Sequence, residues 1–170
     1  MALFKTVRGY SPKYGTNCYF ADNATVIGEV EMGDNCTVWF NAVVRGDVHS
    51  IKIGSNTNIQ DGAIIHCTYQ KAKTIIGNNV SIAHGAIVHG CTIEDNVLVG
   101  MGAIIMDDAM VKSGSVIAAG AIILPGTIVE EGAIYAGVPA VKVKNTSNEM
   151  LEVIARTARN YPMYAEWYKE

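Results

Sequence analysis

Residues 93–129 read IEDNVLVGMGAIIMDDAMVKSGSVIAAGAIILPGTIV, and an aliphatic side chain returns at every sixth position of this stretch. The aliphatic residues are Ile93, Val99, Ile105, Val111, Ile117, Ile123 and Val129. A period of six fits neither the 3.6-residue repeat of an α-helix nor the alternation of a strand buried on one face. It indicates an array in which short strands alternate with corners at a fixed spacing.

Shorter sections with the same period cover most of the remaining chain. They are Val26, Met32, Val38 and Val44, then Ile53, Ile59 and Ile65, then Ile76, Ile82 and Val88. The 17 glycines, and pairs such as Asp34-Asn35 and Asn78-Asn79, supply corner residues that tolerate positive φ. Three strands then close one triangular turn of a parallel solenoid, and the aliphatic ladders fill its interior. An antiparallel sandwich would need hairpin turns and irregular strand lengths instead.

This pattern resembles the hexapeptide-repeat family of left-handed parallel β-helices over roughly residues 12–142. The resemblance implies an all-β solenoid, which we assign to residues 1–145 including an N-terminal lead-in segment. Residues 146–170 are predicted to form a C-terminal α-helix packed on the solenoid, because Thr146-Ser147-Asn148-Glu149 has the form of a capping box before apolar residues at helical spacing. Pro162 is expected either to end this helix or to kink it, with a last turn through Trp167 as the further alternative.

Composition and charge exclude several classes of protein. The chain has 170 residues, of which 49% are hydrophobic, with a net charge of −3, which suits one compact domain. Its Lys and Arg residues are scattered singly, so we expect no nucleic-acid partner. The absence of a secretory signal and of an apolar run of about 20 residues predicts a cytoplasmic protein that does not cross a membrane. The four cysteines lack a CxxC pair and are expected to be reduced.

The period of six is interrupted three times, and each break follows a polar residue. The breaks are Val44 to Ile53 with three extra residues, Ile65 to Ile76 with five extra, and Val88 to Ile93 with one missing. The polar residues directly before them are Arg45, His66 and His89. A purely structural solenoid has no need of such breaks, so they point to a functional edge.

If each break is absorbed at a corner, His66 and His89 become neighbours on successive turns. Their backbones are then about 4.8 Å apart, and their side chains can converge on one ion at Zn–N distances of about 2.0–2.1 Å. His84 follows Ile82 by two residues and lies on the adjacent face, out of reach of that ion within one chain. A threefold assembly would bring His84 of one subunit against His66 and His89 of the next. The sequence therefore predicts a homotrimer with metal sites at its subunit interfaces.

Four motifs carry a second, more specific resemblance. They are Arg45-Gly46-Asp47, Asn58-Ile59-Gln60-Asp61-Gly62, His66, and His84-Gly85-Ala86-Ile87-Val88-His89-Gly90-Cys91. Together they resemble the γ-class carbonic anhydrases, which implies a lyase that reversibly hydrates CO₂ to bicarbonate with a metal-bound hydroxide. The resemblance also implies that His66, His84 and His89 bind the metal, with two ligands from one subunit and one from its neighbour. Three imidazoles suit Zn²⁺, Fe²⁺ or Co²⁺.

Roles for the surrounding residues follow from the same resemblance. Arg45 and Asp47 match an arginine and aspartate that form inter-subunit ion pairs, and Gln60 matches a glutamine that orients the hydroxide or bicarbonate. Asn58 and Asp61 either fix imidazole tautomers or are plain corner residues. Tyr161, in a tail segment that also resembles the family, is either a catalytic group or a core residue.

One departure concerns the release of protons. The archetypal γ-enzyme carries glutamates just after its Arg-x-Asp motif and in the loop after the first histidine, where this chain has Val48 and Thr68-Tyr69-Gln70-Lys71. The usual carboxylate proton shuttle is therefore missing, so turnover is expected either to be slow or to depend on another group such as Tyr161.

Two other functions compete with the hydratase. Many hexapeptide-repeat proteins are acyltransferases that use an acyl-CoA donor and one histidine as general base. The other alternative is a non-catalytic scaffold protein, in which the metal ion only stabilises the association of the three subunits. The three clustered histidines together with Gln60 favour the hydratase, since a transferase needs only one base.

Overall fold

The computed structural model describes residues 1–168 as a left-handed parallel β-solenoid of about seven turns, followed by one α-helix. In chain order the strands are β1 (Leu3–Lys5), β2 (Lys13–Tyr14), β3 (Tyr19–Phe20), β4 (Thr25–Met32), β5 (Thr37–Val38), β6 (Val43–Ile53), β7 (Asn58–Ile59), β8 (Ile64–His66), β9 (Thr74–Ile76), β10 (Ser81–Ile82), β11 (Ile87–His89), β12 (Thr92–Ile93), β13 (Leu98–Val99), β14 (Ile104–Ile105), β15 (Met110–Val111), β16 (Val116–Ile117), β17 (Ile122–Ile123), β18 (Ile128–Val129), β19 (Ala133–Gly137) and β20 (Ala140–Asn145). The helix is α1 (Asn148–Glu166). The predicted fold class is confirmed.

The strands form three sides of a prism, and the aliphatic period sets their register. One side stacks β8, β11, β14 and β17; a second stacks β9, β12, β15 and β18; the third runs from β3 to β19. The long strands β4 and β6 turn one corner and so belong to the first two sides. Val44 pairs with Ile65, and Ile65 pairs with Val88, as the stacking of the sections predicts. These side chains are fully buried and form one continuous apolar core.

Asparagines line one corner of the prism in successive turns. Asn35, Asn56, Asn79 and Asn96 all have φ near +55°. Asn tolerates this left-handed conformation better than other non-glycine residues. Each side-chain amide donates to the next in the ladder at 3.2 Å, so the corner residues also tie the turns together.

All three breaks in the period are absorbed at corners or bulges. The three extra residues of the first break bulge out of β6 opposite Glu29. The second break forms a loop over residues 67–73, which is closed by an isolated bridge between Thr68 and Ala72. The third break shortens the corner between β11 and β12. The core ladders therefore continue without interruption while extra chain accumulates along one edge.

The two ends of the chain differ in detail from the sequence-based expectation. At the start, β1 and β2 already pair with β4, so the first turn begins before residue 12. Near the C-terminal end, β20 runs antiparallel to β19, and Val141 lies exposed on it instead of continuing an internal ladder. The antiparallel return caps the last turn of the solenoid.

The proposed capping box has Thr146 as the N-cap of helix α1. In the structure the N-cap is the next residue, Ser147, which accepts a hydrogen bond from the Met150 amide. Of the alternatives for Pro162, an end of the helix at the proline is wrong: the helix continues to Glu166 and has Trp167 as its C-cap, which agrees with a last turn through Trp167. Tertiary packing outweighs the hydrogen bond that a proline removes: Tyr161 stacks on Trp39, and Ala165 is buried.

The helix lies against the third side of the prism. Its Ile154 packs between Val116 and Ile134. Among residues 1–168 no helix has the length and apolar character needed to cross a membrane. The four cysteines are free thiols, as expected, and three of them are buried.

Candidate metal centre

Strands β8 and β11 end in histidines that face each other across one turn. His66 and His89 are register partners, which confirms the predicted ladder. Nδ1 of His66 lies 3.1 Å from Nε2 of His89, and the ring centroids are 5.1 Å apart. The two imidazoles thus direct one nitrogen each at the same point.

The outer nitrogen of each imidazole meets a carboxylate. Nε2 of His66 is 3.0 Å from Oδ1 of Asp47, and Nδ1 of His89 is 2.6 Å from Oδ1 of Asp107. Sequence reasoning missed Asp107. The missing residue between Val88 and Ile93 hides its signal: Val88 pairs with Ile105, so the period alone does not place Asp107 opposite His89.

Both carboxylates are held in the ionised form. Burial by itself would raise the pKa of Asp47, but hydrogen bonds from Arg45 and His66 outweigh it and lower that pKa. Burial acts in the same direction on Asp107, and hydrogen bonds from Thr68 and His89 again lower the pKa below its usual value. An ionised carboxylate only accepts hydrogen bonds, so the imidazole nitrogens that face Asp47 and Asp107 carry protons.

The inward nitrogens suit a shared cation. Desolvation lowers the pKa of His66, which favours its neutral form although Asp47 acts in the opposite direction. A neutral imidazole protonated on its outer nitrogen has a lone pair on the inner one. Nδ1 of His66 and Nε2 of His89 lie 3.1 Å apart, a separation that suits either a hydrogen bond between the rings or one shared cation. Two nitrogens bound to one tetrahedral Zn²⁺ are about 3.3 Å apart, so the pair fits an ion with little movement.

His84 lies at a different corner, between β10 and β11. Its Nδ1 is 3.0 Å from Oδ2 of Asp61, a residue that occupies the same corner one turn earlier. In residues 1–168 of a single copy, no three His, Cys, Asp or Glu side chains gather in a metal-binding arrangement. The structure therefore brings together His66 and His89, and the sharing of His84 between subunits stays a prediction.

Gln60 and Asn58 form a buried chain of amides. Gln60 is only 4% exposed, and its Nε2 donates to Oδ1 of Asn58 at 2.9 Å. Asn58 in turn donates to the Ser81 hydroxyl at 2.8 Å. Of the two candidate tautomer-fixing residues, Asp61 contacts an imidazole, whereas Asn58 supports Gln60 within one copy.

Arg45 and Tyr161 occupy different surroundings. Nη1 of Arg45 donates to Oδ2 of Asp47 at 2.7 Å within one chain, and the pairing between subunits that the resemblance implies stays a prediction. Tyr161 is half-buried and stacks edge-on against Trp39, with ring centroids 5.5 Å apart. Burial, and then the charge of Asp61, raises the pKa of Tyr161 to about 12, so its phenol keeps its proton at neutral pH.

An apolar surface adjoins the histidine pair. The outward side chains of β8, β11, β14 and β17 are isoleucines in register: Ile64, Ile87, Ile104 and Ile122. We call this surface the isoleucine face. Ile64 is 41% exposed although it lies in a strand. A largely apolar cavity of about 460 Å³ opens at this face between Ile87, Ile104, Met106 and Pro125, and His89 forms part of its wall.

Comparisons with known proteins find carbonic anhydrases by sequence and a hexapeptide transferase family protein by structure. The probable carbonic anhydrase of Methanocaldococcus jannaschii is 47% identical over 150 residues, covering 88% of this chain and 94% of the relative. The mitochondrial gamma carbonic anhydrase 2 of Arabidopsis thaliana is 36% identical over 156 residues; the match covers 89% of this chain but only 56% of that longer relative. The crystal structure of a hexapeptide transferase family protein from Anaplasma phagocytophilum superposes with a TM-score of 0.93 at 37% identity, over 98% of each chain. No family model matches the chain.

Proposed function

Because this chain belongs to the γ-class carbonic anhydrase family of hexapeptide-repeat proteins, we propose that it is a metal-dependent enzyme that reversibly hydrates CO₂ to bicarbonate. The observation that carries the proposal is the histidine pair. Nδ1 of His66 and Nε2 of His89 face each other at 3.1 Å, and an ionised carboxylate occupies the far side of each ring. This donor set is suited to a divalent cation and serves no evident purpose in a purely structural corner.

We propose that His66 and His89 of one subunit and His84 of its neighbour hold Zn²⁺, or Fe²⁺ or Co²⁺ in its place. An ion held by three neutral imidazoles lowers the pKa of water to about 7 and so supplies a hydroxide nucleophile near neutral pH. Asp61 supports this role for His84, since its Oδ2 lies 3.0 Å from Nδ1 and so occupies that side of the ring, which leaves Nε2 free to bind. All three histidines then share one design, in which a carboxylate fixes the proton on the nitrogen that does not bind.

The isoleucine face supports the homotrimer. It exposes aliphatic side chains directly beside His66 and His89, and such a surface is stabilised when another protein surface covers it. We propose a second copy of the chain as the occupant, because the metal ligands at its edge need one more imidazole. A cytoplasmic location accords with free thiols at all four cysteines.

Gln60 is proposed to orient the reacting species. Its amide nitrogen is held by Asn58, which fixes the plane of the side chain and the direction of its carbonyl oxygen. A rigid polar group of this kind positions a small substrate at little entropic cost. Arg45 keeps Asp47 ionised and oriented, and so acts on the site through His66.

The rival acyltransferase and scaffold functions are separated by one set of measurements. We expect CO₂ hydration that is lost on chelation and in His89→Ala, while His49→Ala, the matched control at the histidine outside the triad, keeps it. Acyl transfer from acyl-CoA that survives chelation would favour the transferase. Neither activity, together with dissociation of the trimer on chelation, would favour the scaffold.

Metal content tests the interface model separately. Protein purified without oxygen is expected to contain one metal per chain and to have the mass of a trimer in solution. A monomer, or clearly less than one metal per chain, contradicts the proposed interface site.

A further inference from the structure

We infer that Asp107 is a positioning residue that fixes the proton of His89 on Nδ1, and that Thr68 in the loop after His66 holds Asp107 in place. The consequence for metal binding rests on the proposed function. The arrangement of protons itself does not, since it is a property of the metal-free chain.

Asp107 uses both of its oxygens. Oδ1 lies 2.6 Å from Nδ1 of His89, and Oδ2 accepts a hydrogen bond from the Thr68 hydroxyl at 2.5 Å. With both oxygens engaged, the carboxylate cannot rotate without losing a hydrogen bond. The backbone is held as well, because the Asp108 amide donates to the Gly90 carbonyl at 2.8 Å.

Thr68 reaches Asp107 only because the period of six is broken. It lies in the five-residue insertion, where its amide donates to the Ala72 carbonyl and closes a small loop. At the end of the same loop, the Thr74 hydroxyl donates to the His66 carbonyl and accepts from the Gly90 amide. The insertion therefore braces the ends of both histidine strands and the carboxylate behind His89.

Asp47 and Asp107 fix opposite tautomers. Asp47 faces Nε2 of His66, which leaves Nδ1 as the acceptor, whereas Asp107 faces Nδ1 of His89, which leaves Nε2 as the acceptor. Without Asp107 the proton of His89 is free to move to Nε2, where it would point at Nδ1 of His66 and form a direct hydrogen bond between the rings. That bond would occupy both inward nitrogens.

The first test uses the metal-free protein. Nitrogen-15 NMR of its imidazoles at alkaline pH is expected to show His89 predominantly as the Nδ1–H tautomer, and Asp107→Leu, which is similar in size but has no acceptor, is expected to shift His89 towards Nε2–H. The matched control Asp108→Asn changes the neighbouring exposed aspartate, whose φ of +60° asparagine also tolerates, and should leave the tautomer unchanged. The same tautomer in wild type and Asp107→Leu would overturn the inference.

The second test measures Zn²⁺ affinity by competition with a chromophoric chelator, with the mass of each variant in solution as a check on assembly. Loss of a group that orients a ligand typically lowers metal affinity 10- to 100-fold, so we expect a decrease of about that size in Asp107→Leu and none in Asp108→Asn. Thr68→Val should give a smaller decrease that disappears in the Asp107→Leu background, since Thr68 acts through Asp107. Equal affinities for Asp107→Leu and Asp108→Asn would overturn the inference and leave the proposed function standing. A wild type without metal would instead contradict the proposed function, and the NMR measurement would still decide the role of Asp107.

Discussion

At the scale of single residues, aspartate carboxylates accompany the three histidines of the candidate metal centre. His66, His84 and His89 each have one nitrogen within 3.0 Å of an aspartate oxygen, although the three aspartates come from different turns. A carboxylate raises the basicity of the opposite nitrogen and fixes the orientation of the ring. In the proposed metal site, each histidine would therefore depend on the aspartate behind it for the orientation of its ring.

Tyr161 has a different behaviour, because its environment opposes ionisation. Burial and the nearby Asp61 raise its pKa to about 12 in the folded protein, compared with about 10 in an unfolded chain. The unfolded state then releases this proton at lower pH than the folded state, so folding stability is lost as the pH rises from about 10 towards 12. The phenol also remains protonated at neutral pH, which makes it a hydrogen-bond donor and a poor proton acceptor.

Tyr161→Phe is accordingly expected to lose less stability at alkaline pH than the wild type does. The measurement is the midpoint of urea unfolding at neutral pH and at a pH between the two pKa values, at one protein concentration. Tyr14→Phe, at an exposed tyrosine, is the control and should follow the wild type. A Tyr161→Phe midpoint that falls as steeply as that of the wild type would contradict the altered pKa.

At the scale of elements, two irregular segments supply residues that support the histidine pair. The bulge in β6 carries Asp47, and the loop over residues 67–73 carries Thr68. In regular hexads, an outward side chain lies beside the equivalent side chains of the turns before and after it. An inserted segment can instead place a side chain of one turn against a non-equivalent residue of another turn, as Thr68 contacts Asp107. Helix α1, by contrast, has a structural role, because it covers one side of the prism with a few buried residues.

Ile154→Ala tests this structural role of helix α1. Ile154 is 1% exposed and packs against Val116 and Ile134, so its truncation leaves a cavity between the helix and the solenoid. The expected cost is about 2–5 kcal/mol in the free energy of unfolding, measured by urea titration at constant protein concentration. Arg156→Ala, at an exposed position two residues away, should change it by no more than about 0.5 kcal/mol. Equal stabilities of the two variants would mean that the helix does not stabilise the solenoid.

At the scale of the whole molecule, the three sides of the prism differ in what they expose. One side is covered by α1, while the isoleucine face carries aliphatic side chains next to the histidine pair. A charge placed in the centre of a covered apolar surface is costly, whereas the same charge on an open surface is not.

Ile104→Glu is therefore expected to convert the proposed trimer to monomers and to reduce the metal content, with the mass measured by light scattering and the metal by elemental analysis. Ile128→Glu places the same change on β18, at an isoleucine that is 62% exposed, and should leave both quantities unchanged. A trimer that persists in Ile104→Glu with full metal content would show that the isoleucine face is not the interface.

The sequence by itself determined the solenoid, its register and the pairing of His66 with His89. The physical reason is that a period of six fixes which side chains point inward, and the stacking of turns then fixes every neighbour along a ladder, as Val44, Ile65 and Val88 show. Only the tertiary structure decided that Asp107 lies behind His89, that Asn58 holds Gln60, and that α1 continues past Pro162. These features depend on side-chain direction and on packing between segments far apart in the chain, and neither a period nor a local propensity contains that information.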